Sequence, residues 1–211
     1  VALRMKLSKE RVYNIGVGCL LHDLGLRYIA LDVENINYEE FPDKHREEYR
    51  KHPIYGYTAL KNEEWLSKSS KEIVLCHHEQ VDGNGYPLHA HELSQEVRIA
   101  AVCDFFDEHI CGIGCQRMKV YEVVEYLKAA KDTMFDAKVI DTLLDFTAVY
   151  PSGSKVLTNE KETAIVIRQN KGFPERPVLQ IVTDRNGKII DENVIKDLLE
   201  HNNVFIENVL N

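Results

Sequence analysis

Long apolar runs are missing from this 211-residue sequence. A membrane-spanning helix needs roughly 18 consecutive apolar residues and a signal peptide needs a shorter apolar stretch near its start, and neither is found. The opening reads Val1-Ala2-Leu3-Arg4-Met5-Lys6. No membrane association is expected of this segment, and the cytoplasm is the expected compartment. Basic residues are also in short supply, with 26 Lys and Arg against 34 Asp and Glu and a formal net charge of −8. That balance argues against a broad basic face for a nucleic acid polymer, which relies on clustered cations to neutralise phosphates. It leaves room for a small anionic ligand, because bound metal ions invert the local field. Cysteines number only five, Cys19, Cys76, Cys103, Cys111 and Cys115, an odd count set mostly in apolar text that reads as buried, reduced thiols. Cys111 and Cys115 form a CxxxC with no second pair, a poor zinc signature. Repeats and low-complexity segments are absent, and a hydrophobic content of 44% is ample for a core.

What is present falls into two kinds of text. Residues 1–149 read as helices. Ser8 is placed to cap a segment running through Val12, Ile15, Cys19 and Leu20, which delivers His22-Asp23 before Gly25 ends it. Pro42-Asp43 opens a charged stretch leading to His52-Pro53, after which Tyr57, Leu60 and Trp65 supply an apolar face. Another helix is expected over Ser70 to His78, then a loop over Asp82 to His91. Ser94 caps an apolar helix carrying Arg98, Ile99, Val102, Asp104 and Phe105, and two more helices follow, Lys119 to Ala130 and Asp136 to Val149, the latter with Val139, Ile140, Leu143, Leu144 and Phe146 to bury. At Tyr150-Pro151-Ser152-Gly153 the composition changes. Residues 150–211 read as a small appendage with strands at Lys155–Leu157, Thr163–Arg168 and Val178–Thr183, a hairpin turn at Asn186-Gly187, a short helix near Val194 to Glu200 and a last strand near Val204 to Ile206. The fold class expected is mainly α with a small C-terminal α+β appendage.

Six metal-type ligands lie in this helical text: His22, Asp23, His52, His77, His78 and Asp104. Imidazole and carboxylate donors without a thiolate suit iron, manganese or a similar divalent ion, and an Asp can bridge two of them. Two ions about 3.5–4 Å apart would lower the pKa of a shared water and hold a phosphate ester for in-line attack. Each motif alone is weak. An isolated His at a helix C-terminus is ordinarily explained by the helix dipole, whereas His77-His78-Glu79 before a glycine loop is seldom required by packing.

Taken in order, the motifs resemble the HD-GYP family. His22-Asp23-Leu24-Gly25 is similar to its opening His-Asp motif, His52-Pro53-Ile54-Tyr55-Gly56 to its His-Pro-x-x-Gly, and His77 to Pro87, reading His-His-Glu-Gln-Val-Asp-Gly-Asn-Gly-Tyr-Pro, to its long signature. The resemblance extends over the tail as well. It implies an HD-type helical bundle and a bacterial phosphodiesterase of signal transduction that linearises cyclic di-GMP to pGpG, often continuing to GMP. It also implies two or three divalent ions, Fe or Mn, held by His22, Asp23, His52, His77, His78 and Asp104, with Asp23 bridging and a metal-bridging hydroxide attacking phosphorus. Glu79 and Asp82 would orient ligands or shape the loop rather than bind metal. Gly83 and Gly85 would permit the loop's tight path, and Tyr86-Pro87 would stiffen its end. An upstream sensory domain, or a diguanylate cyclase domain docked through the Asp82 to Pro87 loop, are the partners such a module could take.

The chain departs from the pattern in three places. Leu26 stands where the family's His-Asp-x-Gly-Lys motif closes with lysine, and leucine can neither carry charge nor donate a hydrogen bond. Arg27 next to it is the candidate stand-in. After Asp104, Asp107 to Gly114 replaces the family's hydroxyl-bearing and basic segment, leaving Arg117 and Lys119 as the nearest substrate-binding candidates. Val1 to Lys6 resembles the second half of a helix that in the family supplies a third metal position. A slow phosphodiesterase is therefore the leading expectation. The rivals are a catalytically weakened module that binds cyclic di-GMP or a partner protein as a sensor, and an HD hydrolase acting on another nucleotide phosphate.

Overall fold

The computed structural model describes residues 1–30, 40–112 and 114–210; Ile113, within the Asp107 to Gly114 segment, and Asn211, the last residue of the appendage, lie outside them. The chain divides into two compact units, Val1–Leu143 and Leu144–Asn211. The division falls at the end of helix α7, Ala137–Leu144, which stops short of the expected Val149 and leaves Phe146 exposed. No helix among the described residues is long and apolar enough to cross a membrane.

In the first unit Val1 to Lys6 form one turn that closes as a helix C-terminus does: Leu7 donates to the carbonyl of Ala2, Lys6 to that of Leu3, and Lys6 takes φ 59°. Helix α1, Lys9–Leu21, is capped by Ser8, whose side chain accepts from the amide of Arg11. It is tied to α4, Lys68–Cys76, by a 2.7 Å hydrogen bond from Ser70 Oγ to the carbonyl of Asn14. A 2.7 Å ion pair between Arg11 and Glu96 ties it to α5, Gln95–Cys111. Between α1 and α4 come α2, Asp43–Tyr49, and α3, His52–Leu60. Helix α6, Val120–Ala129, packs against α5, with Val123, Val124 and Leu127 buried.

Several sequence expectations are corrected. Gly25 does not end a helix; it lies inside a 3-10 segment, His22–Tyr28, and its role is close approach, because a Cβ there would stand 1.8 Å from the carbonyl oxygen of His52 and 2.7 Å from the amide of Gly56. Backbone meets backbone at this contact, and it sets Asp23 beside His52. Helix α4 starts earlier than Ser70, at a cap made by Ser67, and ends at Cys76. Leu20 is 86% and Trp65 66% exposed, so neither belongs to the apolar faces assigned to them. Cys111 is exposed rather than buried.

The second unit is a five-stranded antiparallel sheet in the order β4-β3-β2-β1-β5. Its strands are Lys155–Thr158, Thr163–Asn170, Phe173–Thr183, Ile195–Asp197 and Ile206–Leu210 for β1 to β5. Val156, Ala164, Val166, Leu179, Ile181, Leu198 and Val204 form its core. The helix expected near Val194 to Glu200 is instead strand β4 followed by a turn. Residues 195–197 find backbone partners on β3, and Asp197 Oδ1 accepts from the amide of Leu199 to hold the turn. The last strand lies beyond the expected Val204 to Ile206, since its register is set by pairing Leu210 with Lys155 and Ile206 with Thr158.

Candidate metal centre

Helix ends place most of the candidate ligands. At His22 the α-helix tightens into the 3-10 segment, and this change of winding turns two adjacent side chains to one centre. His22 Nε2 lies 3.2 Å from Asp23 Oδ2 and 3.0 Å from Asp104 Oδ1. His52 opens α3, His77 caps α4 and His78 follows it, while Asp104 comes from the middle of α5. The six sequence-predicted ligands are thus brought together from α1 through α5.

Their tautomers follow from local hydrogen bonds. His22 Nδ1 lies 2.5 Å from the carbonyl of Cys19, His52 Nδ1 2.8 Å from that of Tyr49, and His77 Nδ1 3.1 Å from that of Val74. A carbonyl only accepts, so each Nδ1 carries the proton; the neutral rings of His52 and His77 then present a lone pair at Nε2, whereas His22 Nε2 meets the carboxylates of Asp23 and Asp104. In all three the acceptor is three residues earlier in the chain, so each ring is aimed by the backbone just before it. Holding a ligand histidine by its other nitrogen is characteristic of metal sites.

The lone pairs converge. His52 Nε2 and His77 Nε2 are 3.1 Å apart, and they stand 3.3 and 3.8 Å from Asp23 Oδ1. Two lone pairs and a carboxylate oxygen repel unless a cation sits among them. Asp23 Oδ1 and His78 Nε2 are, in addition, buried atoms with no hydrogen-bond partner among the described residues, and such atoms carry a desolvation penalty that an ion would remove. Ligand atoms of Asp23, His52, His77 and His78 all lie within 4.8 Å of one another. The residues present fit a divalent metal ion.

Burial pushes His77 down to about 3, helped by His52 and His22. It lowers His52 as well, and it takes His78 well below the ordinary histidine value, with His77 adding to the effect. These rings are neutral at neutral pH, as metal ligands must be. His22 goes up to about 11: burial opposes the charged form, but its hydrogen bonds to Asp104 and Asp23 outweigh that. Asp23 is held low despite burial, chiefly by His22, whereas burial raises Asp104.

The reading of the sequence missed Glu108. It sits four residues after Asp104 on α5, hence on the same helix face, and its carboxylate lies with His78 and Asp104 in a second group of ligand atoms within 4.8 Å of one another. Burial, then Asp104 and Asp23, push its carboxyl up to about 9. The i, i+4 spacing from Asp104 was the signal available in the sequence.

The loop after α4 is built around Glu79. This side chain is buried, accepts from the amides of Leu88 at 2.6 Å and Ala90 at 3.0 Å, and so shapes the loop rather than contacting the ligand rings. Asp82 accepts from the amide and side chain of Asn84. Gly83 takes φ 79°, and a Cβ on Gly85 would come within 2.3 Å of the amide of Gln80. Tyr86, followed by a cis bond to Pro87, donates its amide to the carbonyl of His78 and stacks its ring on that histidine at 4.6 Å. Replacing Glu79 by Ala strands two amide donors. Hydrogen bonds to a charged group are worth about 1.5–3 kcal/mol each, so Glu79→Ala is expected to lower stability by at least about 2 kcal/mol, read as a fall in Tm with amide exchange accelerated across residues 79–90.

Two cavities flank the cluster. One, of about 280 Å³, is lined by His77, His78, Tyr86, Asp104 and Glu108 with an aromatic wall of Phe105, Tyr126 and Phe135. The other, of about 200 Å³, is lined by His22, His77, Cys19, Cys103, Asp104 and Asp107. Neither has a lysine or arginine among its lining residues. Arg27 and Arg117 are exposed, Arg117 donating to the carbonyl of Ile110, and Lys119 is the N-cap of α6; none of the three lines either of these two cavities.

The model of the HD domain family matches residues 1–139, and a model described as a KOW domain associated with HD domain matches residues 155–211. A cyclic di-GMP phosphodiesterase from Pseudomonas aeruginosa is 26% identical over 94% of this chain and 48% of its own length. A second, PdeB from Borreliella burgdorferi, is 25% identical over 98% of this chain and 55% of its own. The chain thus spans about half the length of these curated relatives. Among solved structures, an HDG"Y"P protein from Bdellovibrio bacteriovorus superposes with a TM-score of 0.59 at 20% identity, covering 68% of this chain and 46% of that one. This last likeness is one of fold.

Proposed function

The chain belongs to the HD domain family, and from that premise we propose that it is a metal-dependent phosphodiesterase opening cyclic di-GMP to linear pGpG and then, in part, to GMP. The observation that carries the reading is the convergence of the His52 and His77 lone pairs on Asp23 Oδ1 beside a cavity of about 280 Å³. When bound, divalent ions supply Lewis acidity and lower the pKa of water at the site. Iron or manganese suits the all-imidazole and carboxylate donor set.

The protein's own groups do the rest. Buried neutral imidazoles and Asp23 form a preorganised ligand set, the ring of Tyr86 keeps His78 from turning, and Phe105, Tyr126 and Phe135 offer apolar faces against which a guanine can lie. No lysine or arginine lines the cavity, although Arg50 lies over the Tyr86 ring at 5.3 Å, so attraction for phosphate rests chiefly on the bound ions. Chelated protein is therefore expected to lose cyclic di-GMP binding as well as turnover, by roughly tenfold or more in Kd, measured by calorimetry before and after restoring Mn²⁺.

The direct test is turnover of cyclic di-GMP by protein purified without oxygen and carrying at least two Fe or Mn ions per chain. Linear product is the expected result. Absence of product from the metallated protein would move the assignment to a second reading, a binding module that senses the dinucleotide, which Leu26 favours because it leaves the site without the family's lysine.

A further inference from the structure

We propose that Glu108 is a ligand to a second divalent cation, held with His78 and Asp104 on the cavity side of the position formed by Asp23, His52 and His77. The inference rests on the metal-dependent reading above and adds to it a ligand that none of the sequence motifs contains.

Geometry is the ground for it. Asp104 and Glu108 project from one face of α5 a single turn apart, and their carboxylates gather with an imidazole nitrogen of His78 inside a 4.8 Å span. His78 is itself held in place by its ring stacking on Tyr86, and its Nδ1 faces Asp104, 3.8 Å from Oδ2. All three side chains line the cavity of about 280 Å³, which has no lysine or arginine in its wall to balance two carboxylates. His109, next in sequence, also lines this cavity, but its Nδ1 is engaged, donating to the carbonyl of Phe105 at 2.8 Å, and its ring stacks on Phe105 at 3.9 Å. Two carboxylates and one imidazole make a hard, oxygen-rich set that suits Mn²⁺, Fe²⁺ or Mg²⁺. An ion there faces the cavity and is the one positioned to meet a ligand phosphate, whereas the ion among His52, His77 and Asp23 sits deeper, beside rings that are essentially buried.

The experiment is a Mn²⁺ titration of the full chain, followed by electron paramagnetic resonance, for wild type, Glu108→Gln and Glu108→Ala. Wild type is expected to bind two Mn²⁺ ions with a spin-coupled spectrum. Both variants are expected to keep one ion with the spectrum of isolated Mn²⁺ and to bind the second about 10–100-fold more weakly or worse, while circular dichroism shows them folded. Folded variants that bind two ions with wild-type affinity and a coupled spectrum would overturn the proposal, as would a wild type that binds a single ion. Wild-type protein that binds no ion at all is the distinct failure of the metal-dependent reading itself. None of these outcomes depends on whether cyclic di-GMP is turned over.

Discussion

Asp23→Ala is expected to cut cyclic di-GMP turnover by at least about 10²–10³-fold, the range seen for losing one preorganised electrostatic group, and to strip the centre of metal. The carboxylate addresses two sets of groups at once. Oδ1 stands 3.3 and 3.8 Å from the Nε2 atoms of His52 and His77, and Oδ2 stands 3.2 Å from His22 Nε2. Without it, the His52 and His77 lone pairs face each other at 3.1 Å with no negative charge beside them. A cation placed there would have neutral ligands and no charge to offset its desolvation. Asp23→Asn separates shape from charge, because the amide keeps the volume and one acceptor oxygen; it is expected to lose metal nearly as fully. Product analysis by chromatography and metal content by plasma mass spectrometry read the two effects together. Turnover and metal content both close to wild type in Asp23→Ala would remove this carboxylate from the centre.

Leu26→Lys is expected to act in the opposite direction, raising turnover by about 10²–10³-fold, equivalent to about 2.7–4 kcal/mol of transition-state stabilisation. The local winding is the reason to favour position 26 over its neighbour. Residues 22–28 form a 3-10 helix, in which side chains at i and i+3 eclipse. Position 26 therefore shares the face of Asp23, while Arg27 is rotated by a third of a turn and is exposed; Leu26 is half-buried. A lysine at 26 would add a cationic donor to a centre whose two cavities have none in their walls. The gain belongs in kcat, with Kd for cyclic di-GMP moving less, and Arg27→Ala serves as a control expected to change neither. An unaltered rate in a folded, metallated Leu26→Lys protein would mean that a cation at this position does not reach the reacting phosphate.

Reading the chain without its structure went furthest where information is local. Ser8 and Ser94 cap the helices they were expected to cap. His77-His78 stood out because paired histidines before a glycine loop have few packing explanations, and the other four ligand positions were set beside them by the resemblance to the HD-GYP motifs. Exposure was harder to read. Leu20, Trp65 and Phe146 are apolar, but whether an apolar side chain finds a neighbour depends on which elements lie opposite, and apolar residues make up much of any protein surface. Gly25 looked like a helix stop because the sequence cannot display the carbonyl of His52 pressed against it.

By itself the sequence determined the helical first unit, the strand-rich second and the inventory of imidazoles and carboxylates, since caps, turn residues and spacing act over one or two turns of chain. Even the aim of the histidine rings is local in origin, each Nδ1 being held by a carbonyl three residues earlier. Only the tertiary structure decided that Glu108 stands beside His78 and Asp104, that Arg27, Arg117 and Lys119 line neither cavity, and that residues 195–197 form a strand rather than a helix. Each of those outcomes depends on a partner far along the chain: His78 for Glu108, and strand β3 for Ile195–Asp197. Contacts of that kind are chosen by how the packed elements meet, which no short window of sequence encodes.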